Sequence, residues 1–264
     1  MDATPKRVYV RPPDPSFQDA LGQQPGQAPI DVALAQAQHR LLTAALRAAG
    51  RTVIELPAAP GHPDACFVQD IALLLPGLAI LARPAEASRQ AEVDLFRPFL
   101  PPEVAVVTIE APGTLEWGDV LRLGDTLYVG QSGRTNAAGA AQVATAVQPL
   151  GLQVEMLPVP RGLHLLSGVN SLGRGPAGDG QHEVLVAWPD YAGLPQFSGC
   201  DVIVVAEEEA PAANCLALGA TVLVPAGYPR TAARIWQRGY QVLSVPLSEY
   251  VKADGGMTCL CVLG

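Results

Sequence analysis

Short apolar runs, each closed by a Gly, Pro or Asp turn, alternate along the chain with stretches in which Ala, Leu and Val recur at helical spacing. Runs of the first kind read as strands and those of the second as amphipathic helices. Val8 to Val10 predicts a strand ended by Arg11-Pro12-Pro13. Residues 14 to 28, rich in Pro, Gly, Gln and Asp, predict a mobile surface loop. Asp31 to Ala49 predicts a helix, with Asp31 in its first turn and Gly50 just beyond its end, and Thr52 to Leu56 a strand.

A unit then repeats. Ile71 to Leu75, the turn Pro76-Gly77 and Leu78 to Ala82 predict a hairpin, followed by a helix over Ala87 to Phe99 and a strand over Val104 to Glu110. The same order returns as Val120 to Leu123, Gly124-Asp125, Thr126 to Val129, a helix over Ala137 to Leu150 and a strand over Gln153 to Leu157. It is blurred in Val169 to Leu172, Glu183 to Ala187 and Val202 to Val205. It is clear again in Cys215 to Leu218, Thr221 to Val224, the helix Thr231 to Arg238 and the strand Gln241 to Val245. A fifth unit is split. Thr258 to Leu263 supplies its first strand, with Cys259, Cys261 and Leu263 on one face, and the N-terminal segment supplies the rest.

The pattern is therefore α/β, about five β-β-α-β units of roughly 45–50 residues, a period that signals repeats packing on one another. The first strand of each unit follows a polar or small residue: Asp70, Asp119, Gly168, Asn214 and Thr258. If the units close in a ring, these points converge, and Asp70, Asp119, His164, Asn214 and Cys259 surround one site. The whole chain, 1–264, then forms a single domain whose ring closes where its two ends meet.

Composition narrows the functions. With 49% hydrophobic and 16% charged residues, the 264-residue chain reads as globular. A net charge of −8 and the absence of any Lys/Arg run argue against nucleic acid and anionic membranes as partners. No apolar run reaches transmembrane length, and the start lacks an apolar core of the secretory kind. Five scattered Cys (66, 200, 215, 259 and 261) fit reduced thiols in a cytoplasmic setting. The four His (39, 62, 164 and 182) show no ligand spacing with them, so no metal and no cofactor are expected. Assembly is left open, a homodimer included.

The candidate chemistry lies at the convergence point. The two thiols of Cys259-Leu-Cys261, just after a Gly-Gly turn, read by themselves as small buried hydrophobes, and as a nucleophile and its neighbour only if partner residues stand nearby. A nucleophile needs an acid/base and an orienting carboxylate. His164, before the third unit, and Glu116, before the second, supply them at the same end of the ring. Asp64 and Asp70 add carboxylates, and without His/Cys ligands beside them the cluster suits a guanidinium better than a metal.

Several segments carry a resemblance: Phe67-Val-Gln-Asp70, Glu110 to Asp119, Gly130-Gln-Ser-Gly-Arg-Thr-Asn136, Leu163-His-Leu165, Ala212-Ala-Asn-Cys215, Pro225 to Arg230 and Asp254-Gly-Gly-Met-Thr-Cys259. In this order and over nearly the whole chain, they resemble the dimethylarginine dimethylaminohydrolases of the guanidine-modifying pentein superfamily. The resemblance implies a five-bladed α/β propeller and hydrolysis of Nω-methylated arginines to citrulline and a methylamine through a covalent Cys intermediate. It assigns Cys259 as nucleophile, His164 as acid/base and Glu116 as its orienting carboxylate, with Cys261 a packing residue. It further implies that Asp64, Gln69 and Asp70 face the guanidinium and that Arg89 and Arg134 hold the amino acid's carboxylate. The backbone carbonyls near Leu21 and Ala253 would take its α-amine, and the loop of residues 14 to 28 would act as a lid.

The chain departs from that family's usual pattern twice, with Gln69 where relatives carry Glu and Leu166 where they carry Lys. Gln keeps an acceptor and loses the charge. This leaves two alternatives beside methylarginine hydrolysis: another guanidine hydrolase such as an arginine deiminase, or a slow or inactive binding protein on the same scaffold.

Overall fold

The computed structural model describes residues 6–22, 26–176 and 182–264. In chain order the strands and helices are β1 (Arg7–Val10), α1 (Val32–Ala48), β2 (Thr52–Glu55), β3 (Ala72–Leu75), β4 (Leu78–Leu81), α2 (Ala91–Phe96) and β5 (Ala105–Thr108). They continue with β6 (Val120–Leu123), β7 (Thr126–Gln131), α3 (Ala137–Val147), β8 (Gln153–Pro158), α4 (Leu165–Gly168), β9 (Val169–Arg174), β10 (Glu183–Ala187), α5 (Pro189–Ala192) and β11 (Asp201–Val204). The last are β12 (Leu216–Leu218), β13 (Thr221–Pro225), α6 (Pro229–Trp236), β14 (Gln241–Val245), α7 (Ser248–Val251) and β15 (Val262–Leu263).

The strands form five three-stranded sheets, β3-β4-β5, β6-β7-β8, β9-β10-β11, β12-β13-β14 and β15-β1-β2. Each has one plan. The first strand pairs antiparallel with the second, as Ala72 does with Leu81 and Leu216 with Leu223. The third, reached by a crossover, pairs parallel with the second. The split fifth module obeys the same plan: Val8 lies opposite Leu263 in the antiparallel pair and opposite Val53 in the parallel one.

The modules close on one another through their cores. Leu75, Ile80, Leu127 and Val143 form a cluster shared by the first two modules. Leu121, Leu157, Leu185 and Phe197 join the second to the third, and Val186, Ile203, Val222 and Ile235 the third to the fourth. Leu223, Val10, Leu42 and Leu260 join the fourth to the fifth, and Tyr9, Ile71, Phe96 and Val262 the fifth back to the first. This is a five-module α/β propeller. Among the described residues no helix is long and apolar enough to cross a membrane.

Three sequence expectations need correction. The stretch Thr258 to Leu263 is a strand only at Val262–Leu263, because Thr258–Leu260 is wound into a 3-10 turn. Asn214 holds that turn, its Oδ1 accepting from the Thr258 N–H at 2.8 Å. Cys259 and Cys261 therefore do not share a strand face. The helix expected over Ala87 to Phe99 is α2 flanked by 3-10 turns at Ala87–Arg89 and Arg97–Phe99, with Pro98 inside the second. The loop expected over residues 14 to 28 is anchored in its first part. Pro15–Asp19 forms a 3-10 turn capped by Asp14, and the fully buried Phe17 packs against Phe67 and Tyr250. Residues 23–25, part of the expected lid, lie outside the described residues.

Candidate active site

The segments preceding the inner strands meet at one end of the ring, around a cavity of about 230 Å³. Leu21, Asp64, Asp70, Arg89, Arg134, His164, Ala253 and Cys259 all line it. Glu116, with no exposed surface, sits behind His164, its Oε2 2.8 Å from the imidazole Nε2. Gln69 does not line this cavity. It lines a separate one, and its Oε1 is buried out of reach of solvent without a hydrogen-bond partner. The reason is local: Val68–Ile71 is a 3-10 turn, in which the neighbours Gln69 and Asp70 diverge.

Each functional side chain is held by backbone geometry. Cys259 sits in the Thr258–Leu260 turn, and the Gly256 N–H points at its Sγ from 3.4 Å. Gly256 has no room for a side chain, since a Cβ there would come within 2.3 Å of the Asn214 side chain. Asn214 also donates to the Leu166 carbonyl at 3.0 Å, tying the nucleophile turn to the helix that begins beside His164. The Leu165 N–H donates to Asp119 Oδ1 at 2.9 Å, while Ser132 donates to Asp119 Oδ2 and accepts from the Arg134 N–H. Asp119 thus couples the placement of His164 to that of Arg134. Gly118 lets the ring approach, because a Cβ there would lie 2.6 Å from His164 Nδ1 and 2.9 Å from Asp70 Oδ1.

Arg89 is the best-held cation of the site. It donates from Nη1 to Asp70 Oδ2 at 2.7 Å, from Nε and Nη2 to Glu92, and from Nη2 toward the carbonyls of Asp64 and Phe67. Arg134 is looser. Its side chain is 17% exposed, and its Nη1 lies 3.5 Å from both Glu86 and Glu116. Asp64 accepts from the Leu21 N–H at 3.2 Å and so anchors the residues 14–22 segment to the pocket. Two buried carboxylate oxygens, Asp70 Oδ1 and Glu116 Oε1, have no hydrogen-bond partner. Orphaned acceptors of this kind are costly unless a donor arrives.

Charge explains the protonation states. Five buried carboxylates, Asp64, Asp70, Glu92, Glu116 and Asp119, gather here with Arg89, Arg134 and His164. Burial pushes the Glu92 carboxyl up to about 7 and raises Asp64 too, against the pull of Arg89. Burial opposes charging of His164, but Asp70, the Glu116 hydrogen bond and Asp119 lift it to about 9, so it is an imidazolium at neutral pH. Burial, then Asp70, pushes the Cys259 thiol up to about 12 even with Arg89 pulling it down, so it is a neutral thiol in the pocket as it stands. Asp70, Glu116 and His164 present ligand atoms within 4.8 Å of one another, the one such group among the described residues. The Arg89 guanidinium, 2.7 Å from Asp70 and 3.7 Å from Glu116, already supplies positive charge to that group, which disfavours a metal ion there.

The sequence brought Cys259, His164, Glu116, Asp64, Asp70 and the two arginines to one place and misplaced Gln69. It missed Glu92 altogether. The signal was available, because Arg89 and Glu92 stand three residues apart, the spacing of a helical ion pair.

Fold and site define a five-module propeller of the pentein class with a Cys, His, Glu constellation at its polar end. No family model matches the chain. The N(G),N(G)-dimethylarginine dimethylaminohydrolase of Pseudomonas aeruginosa is 36% identical over 259 residues, covering 97% of this chain and 98% of the relative. That of Streptomyces coelicolor is 33% identical over 264 residues, covering 97% and 96%. A crystal structure of the Pseudomonas aeruginosa protein, a cysteine-to-serine mutant complexed with citrulline, superposes with a TM-score of 0.91 at 34% identity, covering 99% of this chain and all of that one. The N-terminal domain of the arginine dihydrolase ArgZ, at 21% identity and a TM-score of 0.83 over 97% of each chain, shares the fold. The chain belongs to the dimethylarginine dimethylaminohydrolase family.

Proposed function

We propose that the chain hydrolyses Nω-methylated L-arginines to L-citrulline and a methylamine. The observation that carries this reading is the acidic pocket that Asp64 and Asp70 share with Cys259 and the His164 imidazolium. A guanidinium brings such a pocket further positive charge and a planar set of N–H donors for its carboxylates. Its arrival stabilises the thiolate, and the thiol proton leaves to solvent. The Cys259 Sγ attacks the central guanidinium carbon. His164 gives its proton to the departing methylamine nitrogen as the C–N bond breaks, leaving a thiouronium on Cys259. The now neutral His164 takes a proton from water. The hydroxide oxygen adds to the same carbon, the C–S bond breaks as the added O–H becomes the ureido C=O, its proton passes to the departing sulfur to restore the Cys259 thiol, and the ureido product leaves. Glu116 holds the imidazole throughout and favours its charged form.

Arg134, looser and partly exposed, is the partner for the substrate's carboxylate, and the carbonyls of Leu21 and Ala253 take its α-amine. Arg89 has nearly all its donors engaged, so its role is to hold Asp70. The alternatives of an arginine deiminase and of a slow binding protein rested on Gln69. Because Gln69 lines another cavity, they lose their ground.

Citrulline formation from asymmetric dimethylarginine, monomethylarginine, arginine and agmatine tests the reading. Turnover of the methylarginines well above the other two is expected. No citrulline from either methylarginine, or agmatine as good a substrate as they are, would overturn it.

A further inference from the structure

Glu92 is a buried carboxylate to which the reaction gives no task. It stands on the first turn of α2, is 2% exposed, and does not line the substrate cavity. Its partner is Arg89, which ends the 3-10 turn just before α2 and does line that cavity. The two meet fork to fork. Arg89 Nε lies 3.2 Å from both Glu92 oxygens, and Nη2 donates to Oε2 at 2.9 Å. Such a pair fixes the orientation of a guanidinium as well as its place. Nη2 is also directed at the carbonyls of Asp64 and Phe67, so Nη1 alone is left for the carboxylates of the site. It gives Asp70 Oδ2 one hydrogen bond at 2.7 Å and stays 3.7 Å from Glu116. The helix that carries Glu92 is itself pinned. Buried Arg11, just past β1, donates to the Leu95 carbonyl at 3.2 Å and to the Pro57 carbonyl at 2.8 Å.

We infer that Glu92 is a positioning residue for the substrate's guanidinium, acting through Arg89 on Asp70. Shared between two carboxylates, Arg89 neutralises neither fully, and Asp70 keeps negative charge for an incoming cation. Without the Glu92 charge, Asp70 is the one carboxylate left within hydrogen-bond distance of Arg89. The guanidinium then closes on Asp70 and neutralises the group that the substrate needs. The inference rests on the hydrolytic reading, in which Asp70 meets the substrate's guanidinium. It adds to that reading a residue that touches no substrate and still sets the affinity for its charged end.

Calorimetric titration of the Cys259→Ser protein, which lacks the nucleophile, tests this with asymmetric dimethylarginine and citrulline. The two ligands share an amino-acid end and differ in charge at the other. Glu92→Gln should weaken the methylarginine about ten- to a hundredfold, the ratio one charge-assisted hydrogen bond gives, and citrulline less than about threefold. A residue that only holds the fold would weaken both alike. Glu92→Asp keeps the charge but falls one methylene short of the Arg89 edge, and should weaken the methylarginine about three- to tenfold. Thermal unfolding shows whether each variant is folded, and Glu92→Asp carries the test if Glu92→Gln is not. Equal losses for the two ligands, or methylarginine binding unchanged in Glu92→Gln, would overturn the inference. So would Glu92→Asp binding as the parent does, since charge without position would then account for the effect. If the parent Cys259→Ser protein binds no methylarginine, the hydrolytic reading fails, and this inference with it.

Discussion

The two cavities are built from neighbouring residues of the same segments and have opposite chemistry. In the turn before β3, Asp70 lines one and Gln69 the other. In the segment that enters β15, Cys259 lines the first and Cys261 the second. One is small, acidic and closed in by hydrogen-bonded loops; the other is larger and walled by leucines. A residue's role in this ring is therefore decided by which way a single turn aims it, more than by its type or by its neighbour's role. Two thiols two residues apart differ in this way. Cys259 is half-buried beside a glycine N–H, while Cys261 is 2% exposed within the cluster shared by the fourth and fifth modules.

The sharpest break in that comparison is at the thiols. Cys259→Ser should lower citrulline formation by at least about 10⁴-fold, the scale on which loss of a nucleophile acts. Cys261→Ser should retain most activity and lose about 1–3 kcal/mol of stability for burying a hydroxyl in apolar surroundings, read from denaturant unfolding. Intact-mass detection of a covalent adduct on Cys261 during turnover would reverse the assignment.

The arginines come next. Arg89→Leu leaves Asp70 and Glu92 buried without their cation and should destabilise the fold by about 3–5 kcal/mol, seen in the unfolding midpoint. Arg134→Ala should leave the midpoint nearly unchanged and raise KM for methylarginines about ten- to a hundredfold. Equal effects of the two substitutions on KM would return Arg89 to the substrate's carboxylate.

The pH dependence is subtler. With its thiol pushed up to about 12, Cys259 holds little thiolate at neutral pH. Its alkylation by iodoacetamide should climb about tenfold per pH unit from pH 7 to 10, without a plateau in that range. A plateau near pH 7 would mean a thiolate already present in the free protein. The smallest expected effect is that of Gln69→Glu, a change of less than about threefold in KM, since the new charge lies outside the substrate pocket. A tenfold fall in KM would place Gln69 against the guanidinium after all.

Much of this was legible in the chain. The repeated hairpin, helix and strand pattern located all five modules, because the hairpin strands and their Gly, Pro or Asp turns are encoded locally. It also located the polar residue before each inner strand, from which the convergence of Asp70, Asp119, His164, Asn214 and Cys259 followed. What was hidden depends on side chains acting across modules. Asn214 winds Thr258–Leu260 into a turn from the neighbouring module, 44 residues earlier in the chain, so a stretch with strand-like alternation is not a strand. The direction of Gln69 is set by a 3-10 turn that its own composition does not announce. The anchoring of residues 14–22 depends on Phe17 meeting Phe67 and Tyr250, two partners far along the chain.

The way the apolar clusters are shared has a consequence for how the protein comes apart. Every cluster belongs to two adjacent modules, so none owns the surface that keeps it folded. Opening any one wedge strips a face from both of its neighbours, and each of those then loses support on its other side. Local breathing in such a ring is penalised twice over, and the slowest-exchanging amides of all five sheets should share one opening free energy, that of global unfolding. Unlike a linear repeat array, which can fray from an end, this chain has no terminal repeat at which unravelling could begin.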